Sequence, residues 1–141
     1  MRMSKIRLLS LGLVFAAVFL ITPFPAVYSA YYWYTEAQIQ CNGVAYGYRG
    51  AVRVDVSSRG QFIGGITLYC FESYSDHYYI RTYSKPDAWR MKVDIINLSI
   101  GKIVCTQSGS GDFKGSPGGS VTVTCAYGSV TGSVQKPATG V

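Results

Sequence analysis

Residues 44–56 read Val44-Ala45-Tyr46-Gly47-Tyr48-Arg49-Gly50-Ala51-Val52-Arg53-Val54-Asp55-Val56, and their alternation decides the fold class. On an extended chain Val44, Tyr46, Tyr48, Gly50, Val52, Val54 and Val56 share one face, while Ala45, Gly47, Arg49, Ala51, Arg53 and Asp55 share the other. A helix would scatter the valines around its circumference, so the stretch is a strand with one buried face. It is long for a strand, and Gly50 is expected to mark a bend or bulge.

Upstream, Asn42-Gly43 separates two alternating runs, the pattern of a two-residue type I′ hairpin. Such a turn pairs Cys41 with Val44, and counting outward fixes a register. Ile39 then faces Tyr46, Ala37 faces Tyr48, Trp33 faces Val52 and Tyr31 faces Val54 on the apolar side. On the other side Glu36 meets Arg49 and Tyr32 meets Arg53, a charge pair and a cation–π pair. The aromatic run Tyr31-Tyr32-Trp33-Tyr34 that opens this strand is also a candidate assembly strand, able to pair with a neighbouring subunit instead of folding back.

Downstream, Ser57-Ser58-Arg59-Gly60 is a turn, and Gln61 to Glu72 is apolar on both faces, as expected of a central strand kinked at Gly64-Gly65. Tyr78–Tyr83 follows the Ser75-Asp76 turn. Trp89, Met91, Val93 and Ile95 alternate with Arg90, Lys92 and Asp94 until the phase slips at Ile96, which predicts a bulge near Ile95-Ile96. Residues 101–106 form a short strand, and the glycine-rich segment 107–119, with its isolated Phe113, reads as the one long loop. Val121, Val123, Cys125 and Tyr127 line a half-buried strand, residues 129–134 form the last one, and 136–141 read as a flexible tail.

No long helical stripe follows residue 30. The expected architecture is all-β: a two-sheet antiparallel sandwich, Ig-like or jelly-roll, of about 7–8 strands, with a small barrel as the alternative. A cleavable N-terminal signal helix precedes it. Arg2, Lys5 and Arg7 lead into apolar Leu8–Ile21, then Pro23 and Pro25, and small residues suited to cleavage after Ser29, so residues 1–29 are the secretory signal peptide and 30–135 the single domain. Retained as an anchor, the segment would leave the remainder on the same side of the membrane. The membrane is therefore a partner only during export.

Cys41, Cys70, Cys105 and Cys125 all lie in the exported part and are even in number, which makes two disulfides the default. Cys105 and Cys125 flank the glycine-rich segment, favouring a bridge between them. Three of the 13 basic residues and none of the seven acids fall in the leader, so the exported part carries about 10 − 7 = +3. That mild charge, without clustered Lys/Arg stripes, argues against a nucleic-acid partner.

Little in the composition favours catalysis. His77 is the only histidine, and its neighbour Asp76 would point to the opposite face of a strand, so no triad forms from the pair. Glu36, Glu72, Asp76, Asp87, Asp94 and Asp112 supply carboxylates without a pairing motif. No metal-ligand spacing occurs, and neither metal nor cofactor is expected. The aromatics say more. Tyr74, His77, Tyr78, Tyr79, Tyr83 and Trp89 crowd around two turns as a candidate binding platform for sugar rings or a protein partner. Asn97-Leu98-Ser99 is a candidate glycosylation sequon. Together these features lead us to expect a secreted or cell-surface non-enzymatic protein, structural or adhesive, whose partners are other copies of itself or extracellular protein or glycan. A glycan-binding module built on residues 74–89 is the next reading, and a small secreted hydrolase or antimicrobial effector the third.

Overall fold

Alternation drives nearly every described element into extended chain, and the valine stretch sits at the centre of the result. The computed structural model describes residues 31–140. Among the described residues there are nine strands: β1 (Tyr32–Asn42), β2 (Tyr48–Ser58), β3 (Gln61–Cys70), β4 (Ser75–Thr82), β5 (Ala88–Asn97), β6 (Lys102–Asp112), β7 (Gly118–Cys125), β8 (Gly128–Gln135) and β9 (Ala138–Gly140). Sheet A has the order β4-β1-β8-β7, with β9 also paired to β1, and sheet B has the order β3-β2-β5-β6. All pairings are antiparallel, and the two sheets pack face to face as a β-sandwich. The expected signal helix and its cleavage site lie outside the described residues.

Period-2 patterning fills the space between the sheets. Thr35, Ala37, Ile39 and Cys41 point inward from β1, Val52, Val54 and Val56 from β2, Trp89, Met91, Val93 and Ile95 from β5, and Val130 and Val134 from β8. Both bridges cross from one sheet to the other. Cys41 on β1 is bonded to Cys70 on β3, and Cys105 on β6 to Cys125 on β7, the second being the pairing favoured by the sequence. Two disulfides of this kind point to an oxidising compartment.

The hairpin expected at Asn42-Gly43 is replaced by a crossover. β1 and β2 lie in different sheets, and of the two turn residues only Gly43, at φ 62°, lies in the left-handed region. From there the chain crosses the end of the sandwich: Val44 N–H donates to the Glu72 carbonyl, Ala45 N–H to that of Tyr127, and the Gly47 carbonyl accepts from Leu98 N–H. Val44 is buried there, but Tyr46, predicted inward, is 95% exposed. The inward faces expected for Ile39 and from Val52 onward are the ones observed, because both strands border the same core, which forces their parity whether or not they pair. Glu36 therefore sits beside Gln38, not Arg49. Arg49 lies over Tyr69 at 4.0 Å, and it is Arg81, not Arg53, that lies over the Tyr32 ring at 4.6 Å. The two-residue turn with both residues at positive φ is Arg59-Gly60, at 51° and 78°, between paired Ser58 and Gln61. Asp87 Oδ2 accepts from Arg59 N–H at 2.9 Å and helps to hold it.

Glycine explains most of the remaining differences. Gly50 does not bend β2; a β-carbon there would stand 2.6 Å from Cys41 Sγ and 2.9 Å from Cys70 Sγ, so the residue makes room for the bridge. Segment 107–119 is not one long loop, because β6 continues to Asp112 and β7 begins at Gly118. Its glycines lie against the core: Gly111 and Gly119 border the Trp89 ring, and Gly109 borders Val121. β3 is an edge strand, with its irregularity opposite Val56/Ser57 just before Gly64. A register shift is present at Ile95/Ile96, but the extra residue is Val104 on the partner strand β6, and β5 itself stays in unbroken register with β2. The tail is not free throughout, since Ala138–Gly140 pairs with Tyr32–Tyr34.

Candidate functional site

Alternation along β1 and β4 sends one set of side chains into the core and the other onto the outer face of sheet A. From β1 the outward set is Tyr32, Tyr34, Glu36, Gln38 and Gln40; from β4 it is Ser75, His77, Tyr79 and Arg81, with Tyr83 just beyond. The register sets Tyr34 beside Arg81, Glu36 beside Tyr79, Gln38 beside His77 and Gln40 beside Ser75. Tyr79 is 55% exposed and Tyr83 76% exposed.

The rings engage one another. Tyr32 and Tyr83 lie 5.1 Å apart at a 46° tilt, Tyr34 and Tyr79 meet edge to face at 6.4 Å, and His77 stands edge-on to Tyr79 at 6.2 Å. Such pairs hold aromatic rings in place at small cost in side-chain freedom. The Tyr83 phenol titrates above its ordinary range, mainly because of its hydrogen bond with Tyr32, with the Tyr32 charge and partial burial adding and Arg81 opposing.

Beside this strip a furrow of about 210 Å³ crosses β4, β1 and β8, lined by Gln38, Gln40, Ser75, His77, Thr131 and Ser133 among others. Its central amide is fixed: Gln38 Nε2 donates to Glu36 Oε1 at 2.7 Å, and Ser133 Oγ donates to Gln38 Oε1 at 3.4 Å. Across β8 and β7 the polar surface continues through Thr131 and Thr122, whose hydroxyls lie 2.9 Å apart, and Ser129 and Thr124 at 3.0 Å. One end of the face is aromatic and the rest is amide and hydroxyl.

The predicted cluster is thus only partly assembled. His77 and Tyr79 share the outer face with Tyr83, while Tyr78, also exposed, takes the opposite parity on β4 and borders a hollow with Leu68 and Tyr69. Tyr74 precedes β4; its main chain is bonded to Cys41 and its ring is exposed. Trp89 does not belong to the cluster: it is 7% exposed in the core of sheet B, its ring lodged against Gly111 and Gly119. Tyr32 and Tyr34, read as assembly residues, are what complete the strip. Their strand has no free edge there, because Trp33 and Tyr34 pair with β4 on one side and with β9 on the other. In this structure the candidate assembly segment pairs within its own domain. Tyr31 precedes the strand and is exposed, and Trp33 points the other way, with Lys85 Nζ 5.2 Å from its ring centre.

Three of the candidate carboxylates accept backbone hydrogen bonds. Asp76 Oδ1 accepts from His77 N–H, Asp112 Oδ1 from Lys114 N–H and Asp87 Oδ2 from Arg59 N–H, so each orders nearby backbone. Among the described residues no three His, Cys, Asp or Glu side chains gather in a metal-holding group. Asn97 closes the β5–β6 hairpin: its Oδ1 accepts from Ser99 N–H at 3.0 Å, and its Nδ2 lies 3.4 Å from the Tyr48 hydroxyl. Compared with protein-family models and with curated proteins, the chain matches none.

Proposed function

We propose that this is a secreted, non-enzymatic adhesion protein whose contact surface is the outer face of sheet A and whose ligand there is a carbohydrate chain. One observation carries the reading: exposed, mutually braced tyrosines adjoin a furrow of fixed amide and hydroxyl groups on the same face. A pyranose ring has an apolar face that stacks on an aromatic ring and a rim of hydroxyls that needs donors and acceptors. The strip supplies the first, and Gln38, Gln40, Thr131 and Ser133 the second. The ligand's residues would lie along β1, with one ring on Tyr79 or Tyr83 and its neighbours over the furrow.

Binding to a panel of neutral polysaccharides, scored by affinity electrophoresis for the parent protein and for Tyr79→Ala and Gln38→Ala, tests the reading. Retardation of the parent by at least one polysaccharide, lost in both variants while Tm stays within a few degrees, is the expected outcome. Retardation by none, or equal retardation of all three proteins, defeats it.

A further inference from the structure

On the opposite side of the molecule the outer face of sheet B holds an open cleft of about 530 Å³. The register shows how it arises. One row across β2, β5 and β6 is Arg53, Lys92 and Ser108; the next is Asp55, Arg90 and Ser110. Long side chains stand on β2 and β5, while on β6 only serines rise from the sheet. The surface therefore steps down at β6 into a trough with a cationic wall and a hydroxyl floor.

Its charges are unbalanced. Three cations share the cleft with one carboxylate, Asp55, which is already held by Arg53 Nε at 2.8 Å. Arg53 Nη1 also donates to Thr67 Oγ1 at 3.3 Å. Beneath the pair lies Gly65, where a β-carbon would run into both the guanidinium and the carboxylate, so the glycine is what lets Arg53 lie flat across β3. Lys92 reaches Asp94 only at 3.7 Å, and Asp94 is also bonded by Thr106 Oγ1 at 2.6 Å. Among the described residues no carboxylate pairs with Arg90.

We propose that this cleft binds the carboxylate or sulfate groups of an acidic polysaccharide. Arg90 and Lys92 are two residues apart on one strand, roughly 6.6–6.8 Å, close enough for both to engage one charged sugar residue. Arg90 offers the planar fork that matches an oxyanion. Ser108 and Ser110 present hydroxyls to the sugar's own. Among the described residues no aromatic ring lines the cleft for bases to stack on, and three cations over two rows are a small footprint for a nucleic-acid backbone. The site is independent of the tyrosine face, being made of different residues on the other sheet.

Calorimetric titration of the secreted protein with four probes tests it: an oligogalacturonate, a sulfated heparin-derived oligosaccharide, inorganic sulfate, and a single-stranded oligonucleotide of matched charge. Binding of at least one acidic oligosaccharide is expected, weakened about tenfold or more in R90Q/K92Q and by raised salt, and unchanged in Tyr79→Ala. Because these positions are exposed, Tm should hold; S108D, which places a carboxylate in the trough, gives a second variant with the same expected loss. The proposal is overturned if neither oligosaccharide binds, if both variants bind like the parent, if sulfate alone binds as tightly as the oligosaccharides, or if the oligonucleotide binds as well or better. Since Tyr79→Ala leaves this site intact, failure here and failure of the tyrosine-face reading are separately visible.

Discussion

Trp89 and Tyr79 both sit on β-strands among alternating polar residues, yet one ring is enclosed and the other meets solvent. The difference lies in what stands across from each. Facing Trp89 are Gly111 on β6 and Gly119 on β7, whose missing side chains leave a slot that the indole fills. Facing outward from sheet A, Tyr79 has Tyr34 and His77 beside it and remains 55% exposed. An aromatic ring on a pleated sheet is thus committed to core or surface by the bulk of its cross-sheet neighbours as much as by its own polarity.

The sharpest way to break that contrast is to empty the slot. Trp89→Ala should cost about 3–5 kcal/mol, read from denaturant unfolding, and Gly119→Val should also be severely destabilising, since the added atoms would occupy the space of the ring. A loss below about 1 kcal/mol for Trp89→Ala would mean the indole is not a core residue. Next in size is the bridge at the same flank: replacing Cys105 and Cys125 together by Ala should cost about 2–4 kcal/mol, with the tyrosine face still formed by near-ultraviolet dichroism. On the open face the effects shrink. A double-mutant cycle on Tyr34 and Tyr79 should return a coupling of about 0.5–1.5 kcal/mol, and zero coupling would deny that the rings brace each other. Smallest of all, Thr122→Val, which removes one hydroxyl from an exposed pair, should fall within about 0.5 kcal/mol of the parent.

Much of the architecture was legible because parity is a local signal. The inward sets of β1, β2 and β5 and the Cys105–Cys125 pairing follow from alternation and spacing, and the phase change at Ile96 marks the place of a register shift whose extra residue is Val104 on β6. Which strands pair was not legible from Asn42-Gly43, because in a sandwich two strands on opposite sheets show the same inward parity as two strands in one hairpin. The glycine-rich segment 107–119 misled for a related reason: glycine serves both loops and close packing, and only the position of Trp89 tells them apart. Of the candidate site, Tyr79, Tyr83 and His77 were found from their crowding. Gln38, Gln40, Thr131 and Ser133 were missed, since nothing in the sequence announces that β8 lies beside β1.

The two bridges also set how this protein answers to force. Each closes a separate stretch of chain, 29 residues from Cys41 to Cys70 and 20 from Cys105 to Cys125. At roughly 3.3–3.6 Å per residue, these stretches withhold on the order of 170 Å of contour from any pull applied at the ends. An oxidised molecule drawn taut would stop short by that length, and a reduced one would yield it. Under load the oxidised chain therefore extends over the residues outside the two closed stretches, and reduction adds the remainder.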